Sequence, residues 1–286
     1  MTKIRFGVHC SLRNGLPGAA EEANRIGCQA MQIFTRSPRV WKMTSPSDSA
    51  IKEYLKLKEK YQIYPVVVHA PYLPNLATSN RQLYDKSKAL LIEDLNISEK
   101  IQAEYLVIHP GSYSENSTLE AGINNISKAV NESLSKVSGK TVVLLECVAG
   151  GGRRIGSSFE ELNSMLRLIE DKERAAICLD TAHLFGAGHD LSTHDGVDRM
   201  IEEFDLKIGL NKLKVLHLND SKAELSSRRD RHEHIGKGHI GLEGFRYLIK
   251  RLKNHVNAGI LETPKDSADA DSNNLNVLFK ISGIKG

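Results

Sequence analysis

Nine imidazole and carboxylate side chains sit in this sequence where they could hold metal ions. Asp180, His183, Asp230 and His232 occupy two compact runs, Asp180-Thr181-Ala182-His183 and Asp230-Arg231-His232. Five more each close a short apolar run. Val66-Val67-Val68 leads into His69, Leu106-Val107-Ile108 into His109, and Val142-Val143-Leu144-Leu145 into Glu146. Lys214-Val215-Leu216 leads into His217, and Ala258-Gly259-Ile260-Leu261 into Glu262. Imidazole mixed with carboxylate is a donor set for zinc, or for manganese and iron, rather than for calcium or magnesium. Nine such donors exceed what one structural ion needs, so the pattern predicts a multinuclear centre.

One histidine at the end of an apolar run is more often a satisfied core or loop residue than a ligand. The weight lies in the recurrence. A buried strand that ends in an unpaired charge is costly unless a metal or a partner compensates it, and here that ending recurs five times. The other histidines, His189, His194, His234, His239 and His255, fall in polar stretches read as loops or surface turns and carry no assigned role. His9 closes the first strand-like run and is read as facing the same site, close to the ligands or to a phosphate.

The elements that must position these residues alternate from end to end. Strand-like segments are expected at 4–9, 30–34, 64–69, 105–109, 142–146, 176–180, 215–218 and 258–262. Amphipathic stretches lie between them, among them 51–61 and 79–101, the latter opening with Ser79-Asn80-Arg81-Gln82 as a capping box. Ser158-Phe159-Glu160-Glu161 opens another, running to about Glu170. Eight strand–helix units without a linker predict one (β/α)8 barrel spanning 1–286. In such barrels the strands' C-terminal ends form the active site. That gathers the donors at one mouth, with His183 just past strand six and Asp230 and His232 in the loop after strand seven.

Bulk properties exclude several classes. At 286 residues, with 40% hydrophobic and 26% charged side chains, the chain reads as an ordinary globular protein. No stretch approaches the roughly 20 apolar residues of a membrane span. The run from Met1 to Phe6 enters a strand at once, so the expectation is an intracellular, cytoplasmic protein with no signal peptide. Cys10, Cys28, Cys147 and Cys178 lack Cys-x-x-Cys spacing and are read as reduced, mostly buried thiols, Cys147 being a less favoured metal contact. A formal charge of +4 does not by itself mark a nucleic-acid binder. Three divalent ions would change that, turning a ligand charge of about −4 into a local charge of about +2 that attracts phosphate.

At these residues the chain resembles endonuclease IV, the metal-dependent apurinic/apyrimidinic endonuclease family of base-excision repair. The resemblance covers nearly the whole chain. It is carried by His69-Ala70-Pro71-Tyr72-Leu73-Pro74-Asn75-Leu76, His109-Pro110-Gly111-Ser112, Leu179-Asp180-Thr181-Ala182-His183, His217-Leu218-Asn219-Asp220-Ser221-Lys222, Asp230-Arg231-His232 and Leu261-Glu262-Thr263. Glu146-Cys147-Val148-Ala149-Gly150 departs from the family's usual Glu-Asn-Thr-Ala-Gly.

The resemblance implies three zinc ions per chain, with manganese or iron as substitutes at some sites. His69, His109 and Glu146 would hold the first, and Glu146 would bridge to a second completed by Asp180, His217 and Glu262. His183, Asp230 and His232 would hold the third. Glu146 and Glu262 are taken as the catalytic carboxylates. The implied substrate is double-stranded DNA containing abasic sites, cut by a monomer on the 5′ side of the abasic sugar to leave a 3′-hydroxyl and a 5′-deoxyribose phosphate, with trimming of blocked 3′ ends. Tyr72 and Arg39, the latter in Ser37-Pro38-Arg39-Val40-Trp41, match positions that wedge into the duplex where a base is missing. Lys222, Arg228, Arg229 and Arg231 are expected phosphate contacts. The alternatives are a metal-dependent sugar isomerase or epimerase on a related barrel, and a barrel that only stores or senses zinc.

Overall fold

The computed structural model describes residues 4–36, 41 and 45–284; Arg39 lies outside them. The first half of the chain runs β1 (Arg5–His9), α1 (Gly15–Ile26), β2 (Ala30–Phe34), α2 (Asp48–Lys60), β3 (Val66–His69), α3 (Arg81–Lys100), β4 (Tyr105–Ile108) and α4 (Leu119–Lys136). It continues with β5 (Val142–Glu146), α5 (Phe159–Leu168), β6 (Ala175–Asp180), α6 (Thr181–Ala187), α7 (His194–Lys207) and β7 (Leu213–His217). A two-stranded ribbon of β8 (Asp220–Ser221) and β9 (His232–Glu233) follows, then α8 (Gly241–Leu252), β10 (Ala258–Leu261) and α9 (Ala270–Ser282). Eight parallel strands close in the order β1-β10-β7-β6-β5-β4-β3-β2, which is the expected barrel.

Two apolar layers hold it together. The larger joins helix faces to the outward side chains of the strands, including Ile33, Val68, Leu145 and Leu179. The smaller contains only strand residues, among them Ala30, Val67, Val107, Leu144, Cys178, Val215 and Ile260, and fills the barrel interior. Alternation along each strand sends successive side chains to opposite layers. The strands pack closely enough to restrict side-chain size. A Cβ on Gly7 would lie 1.7 Å from the Ala30 carbonyl oxygen, so β1 approaches β2 only with glycine there.

Helix starts follow capping chemistry. The side chains of Ser47, Thr118, Ser158 and Thr193 accept the backbone N–H three residues on, at the heads of α2, α4, α5 and α7. At α3 the cap is Asn80, one residue beyond the expected Ser79. Asn80 Oδ1 accepts from Leu83 N–H at 3.0 Å, while Ser79 N–H is taken by Ser114 Oγ at 2.9 Å. Two further corrections concern the segment after β6. A short helix, α6, starts directly from the strand end, and His194 lies in the first turn of α7 instead of in a loop.

Candidate metal centre

The alternation that fills the barrel also aims the donors. Two residues beyond the interior Val67, Leu144, Cys178 and Val215 come His69, Glu146, Asp180 and His217, the last residues of their strands. His109 and Glu262 stand in the same relation to Val107 and Ile260, one residue past β4 and β10. Six strand ends therefore present a donor as the next layer above the apolar core. Glu146, Asp180 and His217 are fully buried there.

The ligand-capable atoms form three groups, each with its members within 4.8 Å of one another. They are His69, His109 and Glu146; Glu146, Asp180, His217 and Glu262; and Asp180, His183 and His232. Glu146 belongs to the first two groups and Asp180 to the last two. Asp230 reaches the third from the loop before β9, with Oδ2 3.2 Å from His183 Nε2 and Oδ1 3.0 Å from His232 Nε2. All nine expected donors thus converge. Asp180 approaches His232 Nε2 at 3.7 Å, a contact with the third group that the sequence pattern does not reveal.

Hydrogen bonds fix which ring nitrogen faces the centre. His69, His183 and His232 each donate from Nδ1–H to a backbone carbonyl, of Ala70 at 2.7 Å, Cys147 at 2.9 Å and Glu262 at 3.0 Å. Their Nε2 atoms are left for the ligand groups, the arrangement that supports metal-bound imidazole. His217 is turned the other way. Its Nε2–H donates to Gln32 Oε1 at 2.8 Å, and its Nδ1 lies 2.9 Å from Glu146 Oε1 and 3.4 Å from Glu262 Oε2. Asp180 is fixed at both oxygens. Oδ1 caps α6 by accepting from His183 N–H at 2.9 Å, and Oδ2 accepts from Asn219 Nδ2 at 2.7 Å.

The donor set fits divalent cations. Burial by itself would raise the Glu146 carboxyl, but His217 and His109 outweigh it and hold the group well below the carboxylate range. Glu262 is lowered in the same way, against its burial, chiefly by His217. Burial disfavours charge on His232, yet Asp180 and Asp230 raise it to about 9. Metal-free, the surrounding carboxylates raise the proton affinity of His183, His217 and His232, which favours positive charge where ions would otherwise supply it. His232 Nε2 is also buried without a hydrogen-bond partner among the described residues, although Asp230 Oδ1 is 3.0 Å away. Close approach without hydrogen-bond direction suits two donors that share an ion.

A cleft of about 580 Å³ opens above the centre, lined in part by Tyr72, His109, Arg154, Arg228, Arg229, Asp230 and Arg231. Tyr72 is 59% exposed, yet its ring centroid lies 5.4 Å from that of His69 and 5.5 Å from that of His109. Arg228 holds a left-handed backbone at φ 55°, an uncommon conformation for a residue with a side chain. Its loop packs on that of Gly151, where a Cβ would meet the Arg228 carbonyl oxygen at 3.3 Å. Lys222 does not line the cleft; its Nζ pairs with Glu233 at 3.1 Å. His9 is not part of the cleft lining; it stands beside the second donor group, with Nδ1 2.9 Å from Gln32 Nε2 and 3.5 Å from Glu262 Oε1.

Comparison with known proteins decides the family. A sequence profile of the family described as "Xylose isomerase-like TIM barrel" matches residues 20–278. A protein of Halothermothrix orenii named probable endonuclease 4 is 44% identical over 276 residues, 96% of this chain and 99% of its own. The chain belongs to the endonuclease IV family. The crystal structure of endonuclease IV from Thermus thermophilus superposes with a TM-score of 0.85 at 35% identity, covering 98% of this chain and 100% of that one. A D-tagatose 3-epimerase-like protein reaches a TM-score of 0.75 at 21% identity over 98% of both chains, a likeness of fold alone.

Within this family frame, Cys147 is no ligand among the described residues. Its Sγ accepts from Asp180 N–H at 3.1 Å, tying β5 to β6 behind the donors. All four cysteines are buried and free, as expected. Among the histidines left without a role, His189 stacks on Phe159, His194 on Tyr247, and His234 meets Asp266 at 3.1 Å. Sequence reasoning passes over Gln32, Asn219 and Arg154. For Gln32 a signal exists, since it follows Ala30 by two residues on an apolar strand and so shares the inward face. For Arg154 there is none. It enters the cleft lining through a loop whose Gly150, Gly151 and Gly152 all have positive φ. No helix among the described residues is long and apolar enough to cross a membrane.

Proposed function

We propose that this protein is a metal-dependent endonuclease of DNA repair. It hydrolyses the phosphodiester on the 5′ side of an abasic site in duplex DNA, leaves a 3′-hydroxyl and a 5′-deoxyribose phosphate, and also trims blocked 3′ ends. The observation that carries this reading is the convergence of nine donors into three groups joined by Glu146 and Asp180, at the floor of an open cleft rimmed by arginine. The relatives named endonuclease 4 support the same activity.

The roles follow from position. His69, His109 and Glu146 hold one zinc ion; Glu146, Asp180, His217 and Glu262 hold a second; His183, Asp230 and His232, with Asp180 beside them, hold a third. Bound there, zinc supplies Lewis acidity and lowers the pKa of water towards neutrality, with manganese or iron as substitutes at some sites. The remaining work falls to the chain's own side chains. Glu146, shared by two donor groups, and Glu262 would carry charge that balances the ions. His9, whose Nδ1 lies 3.5 Å from Glu262, offers its buried Nε2 for a hydrogen bond to a phosphate oxygen. Arg228, Arg229 and Arg231 grip the backbone of the strand, and Lys222 extends that basic surface. Tyr72 and Arg39 fill the space where a base is absent and hold the deformed duplex.

A sugar epimerase shares the barrel with this chain, but such chemistry gives no use to the third donor group or the arginine rim. The decisive test is elemental analysis of the purified monomer together with cleavage of a duplex that carries one abasic site. The expected outcome is about three ions and a single 5′ incision. One ion per chain with turnover of a ketose and none of the duplex would sink the proposal.

A further inference from the structure

Gln32 is a polar side chain in an otherwise apolar strand, 0% exposed, and bonded to three residues of the centre. Its Nε2 lies 2.5 Å from Glu262 Oε1 and 2.9 Å from His9 Nδ1, and its Oε1 lies 2.8 Å from His217 Nε2. Glu262 decides the amide's orientation. An ionised carboxylate only accepts, so the amide nitrogen must face it, and the reverse would set oxygen against oxygen. The amide oxygen then faces His217, whose Nε2 must carry a hydrogen. Of the two amide hydrogens, one goes to Glu262 and one to His9, so His9 Nδ1 must be an acceptor.

We propose that Gln32 is the positioning residue that commits His217 to hold its ion through Nδ1 and His9 to remain a donor at Nε2. This rests on the proposed metal centre and deepens it. The other three oriented histidines are fixed by backbone carbonyls at Nδ1 and turn Nε2 inward. His217 alone among these four is fixed by a side chain, and alone turns Nδ1 inward. Its position explains why. It shares β7's inward face two residues above Val215, with Glu146 on one side and Gln32 across the barrel, and the hydrogen bond to Gln32 leaves only Nδ1 for the carboxylates.

The second consequence concerns His9. With Nδ1 accepting from Gln32, its proton resides on Nε2, which is buried and has no partner among the described residues. A buried, unpartnered donor is costly unless an acceptor arrives. Burial also lowers the ring's pKa, in keeping with a neutral ring. Gln32 thus serves a metal ligand and a buried, unpartnered donor from one amide, and an apolar side chain of equal length could serve neither.

The test uses the full chain loaded with zinc, with histidine-selective 15N labelling and competition against a chelator. In the wild type, His217 and His9 should each show the Nε2–H tautomer. In Gln32→Met, zinc should bind at least tenfold more weakly at one site, and the His9 ring should lose its single tautomer. Gln32→Glu restores an acceptor for His217 Nε2 without the donors, so it should keep the His217 tautomer and lose that of His9. A merely structural role would lower thermal stability in both variants and leave the tautomers alone. Zinc affinity of Gln32→Met within twofold of wild type, or unchanged tautomers in both variants, would overturn the role of Gln32. A wild type that binds no zinc would instead overturn the centre itself, so the two failures are distinct. Should Gln32→Met fail to fold, the Gln32→Glu spectra decide.

Discussion

At the floor of the cleft, Glu146, Asp180 and His217 have no exposure at all, and their oxygen and nitrogen atoms are fixed by partners from other strands and strand ends of the barrel. At the rim, Tyr72 is 59% exposed, and Arg154, Arg228, Arg229 and Arg231 reach solvent from loops. The floor inherits its geometry from the barrel: strand register sets which side chains meet, and packing leaves them no other place. The rim inherits only its anchoring points. This difference predicts how each half fails. Changes at the floor should remove chemistry outright, and changes at the rim should alter which DNA is bound and how tightly.

The largest expected effect is at the shared carboxylate. Glu146→Gln keeps the shape and removes the charge that joins two donor groups. Cleavage of an abasic duplex should fall about a hundredfold or more while the circular dichroism spectrum stays native. Glu160→Gln is the matched control, because Glu160 pairs with Lys207 on the helical surface, where such pairs contribute little. Its rate should stay within about twofold of wild type. Equal rates for the two variants would erase the distinction between floor and rim.

Removing the ions attacks the same floor without mutation. Chelation should abolish cleavage, and reconstitution should restore it with about three ions per chain. The pH dependence has a defined sign. Asp180 and Asp230 hold the His232 proton up to about 9, so zinc must displace a proton at lower pH. Apparent zinc affinity at that group should therefore rise as pH increases from 6.5 towards 9, measured by competition with a chelator. A flat profile would mean that His232 holds no ion.

These predictions separate what the sequence made legible from what it did not. Strand ends were readable because one rule, alternation, both fills the barrel with Val67, Leu144 and Val215 and places His69, Glu146 and His217 above them. The same rule reaches Gln32, but an isolated amide announces no chemistry until its three partners are known. Asp180's extra contact with His232 was hidden because it depends on where the β8–β9 ribbon brings His232, which no periodicity encodes. Arg154 was hidden for a similar reason. It enters the cleft through a glycine-rich loop whose path is set by packing against the Arg228 loop, and no periodicity encodes such a contact.

At the rim, Tyr72 gives the next effect in size. Its ring makes a tilted contact with His69 and an edge contact with His109, and it stands outside the imidazole and carboxylate donors of the three groups. Tyr72→Ala should leave the metal count at the wild-type value and reduce the preference for abasic over intact duplex by about tenfold, since filling a vacated stack is worth a few kcal/mol at most. Arg39→Ala is expected to act in the same direction. The ratio of the two binding constants, measured beside metal analysis on one preparation, decides the matter. Loss of metal with Tyr72→Ala would move that residue to the floor.

The smallest effect should be visible mainly in its salt dependence. Each phosphate neutralised by a basic side chain releases counterions, so the slope of log affinity against log salt falls by about 0.9 for every phosphate left without its cation. Arg228, Arg229 and Arg154 face one cleft from two loops that pack on each other, and none of them has a carboxylate partner among the described residues. Reversing charge at Arg228 and Arg229 should therefore flatten the slope by about two, and Arg154→Ala by about one. Lys222→Ala should flatten it less, because Lys222 already pairs with Glu233 and lies off the cleft lining. In all of these variants the cleavage rate at saturating DNA should stay near wild type, since nothing on the floor has changed. If Arg154→Ala leaves the slope untouched while Lys222→Ala flattens it, the DNA runs over the β8–β9 ribbon and not along this cleft, and the rim has been assigned to the wrong loops.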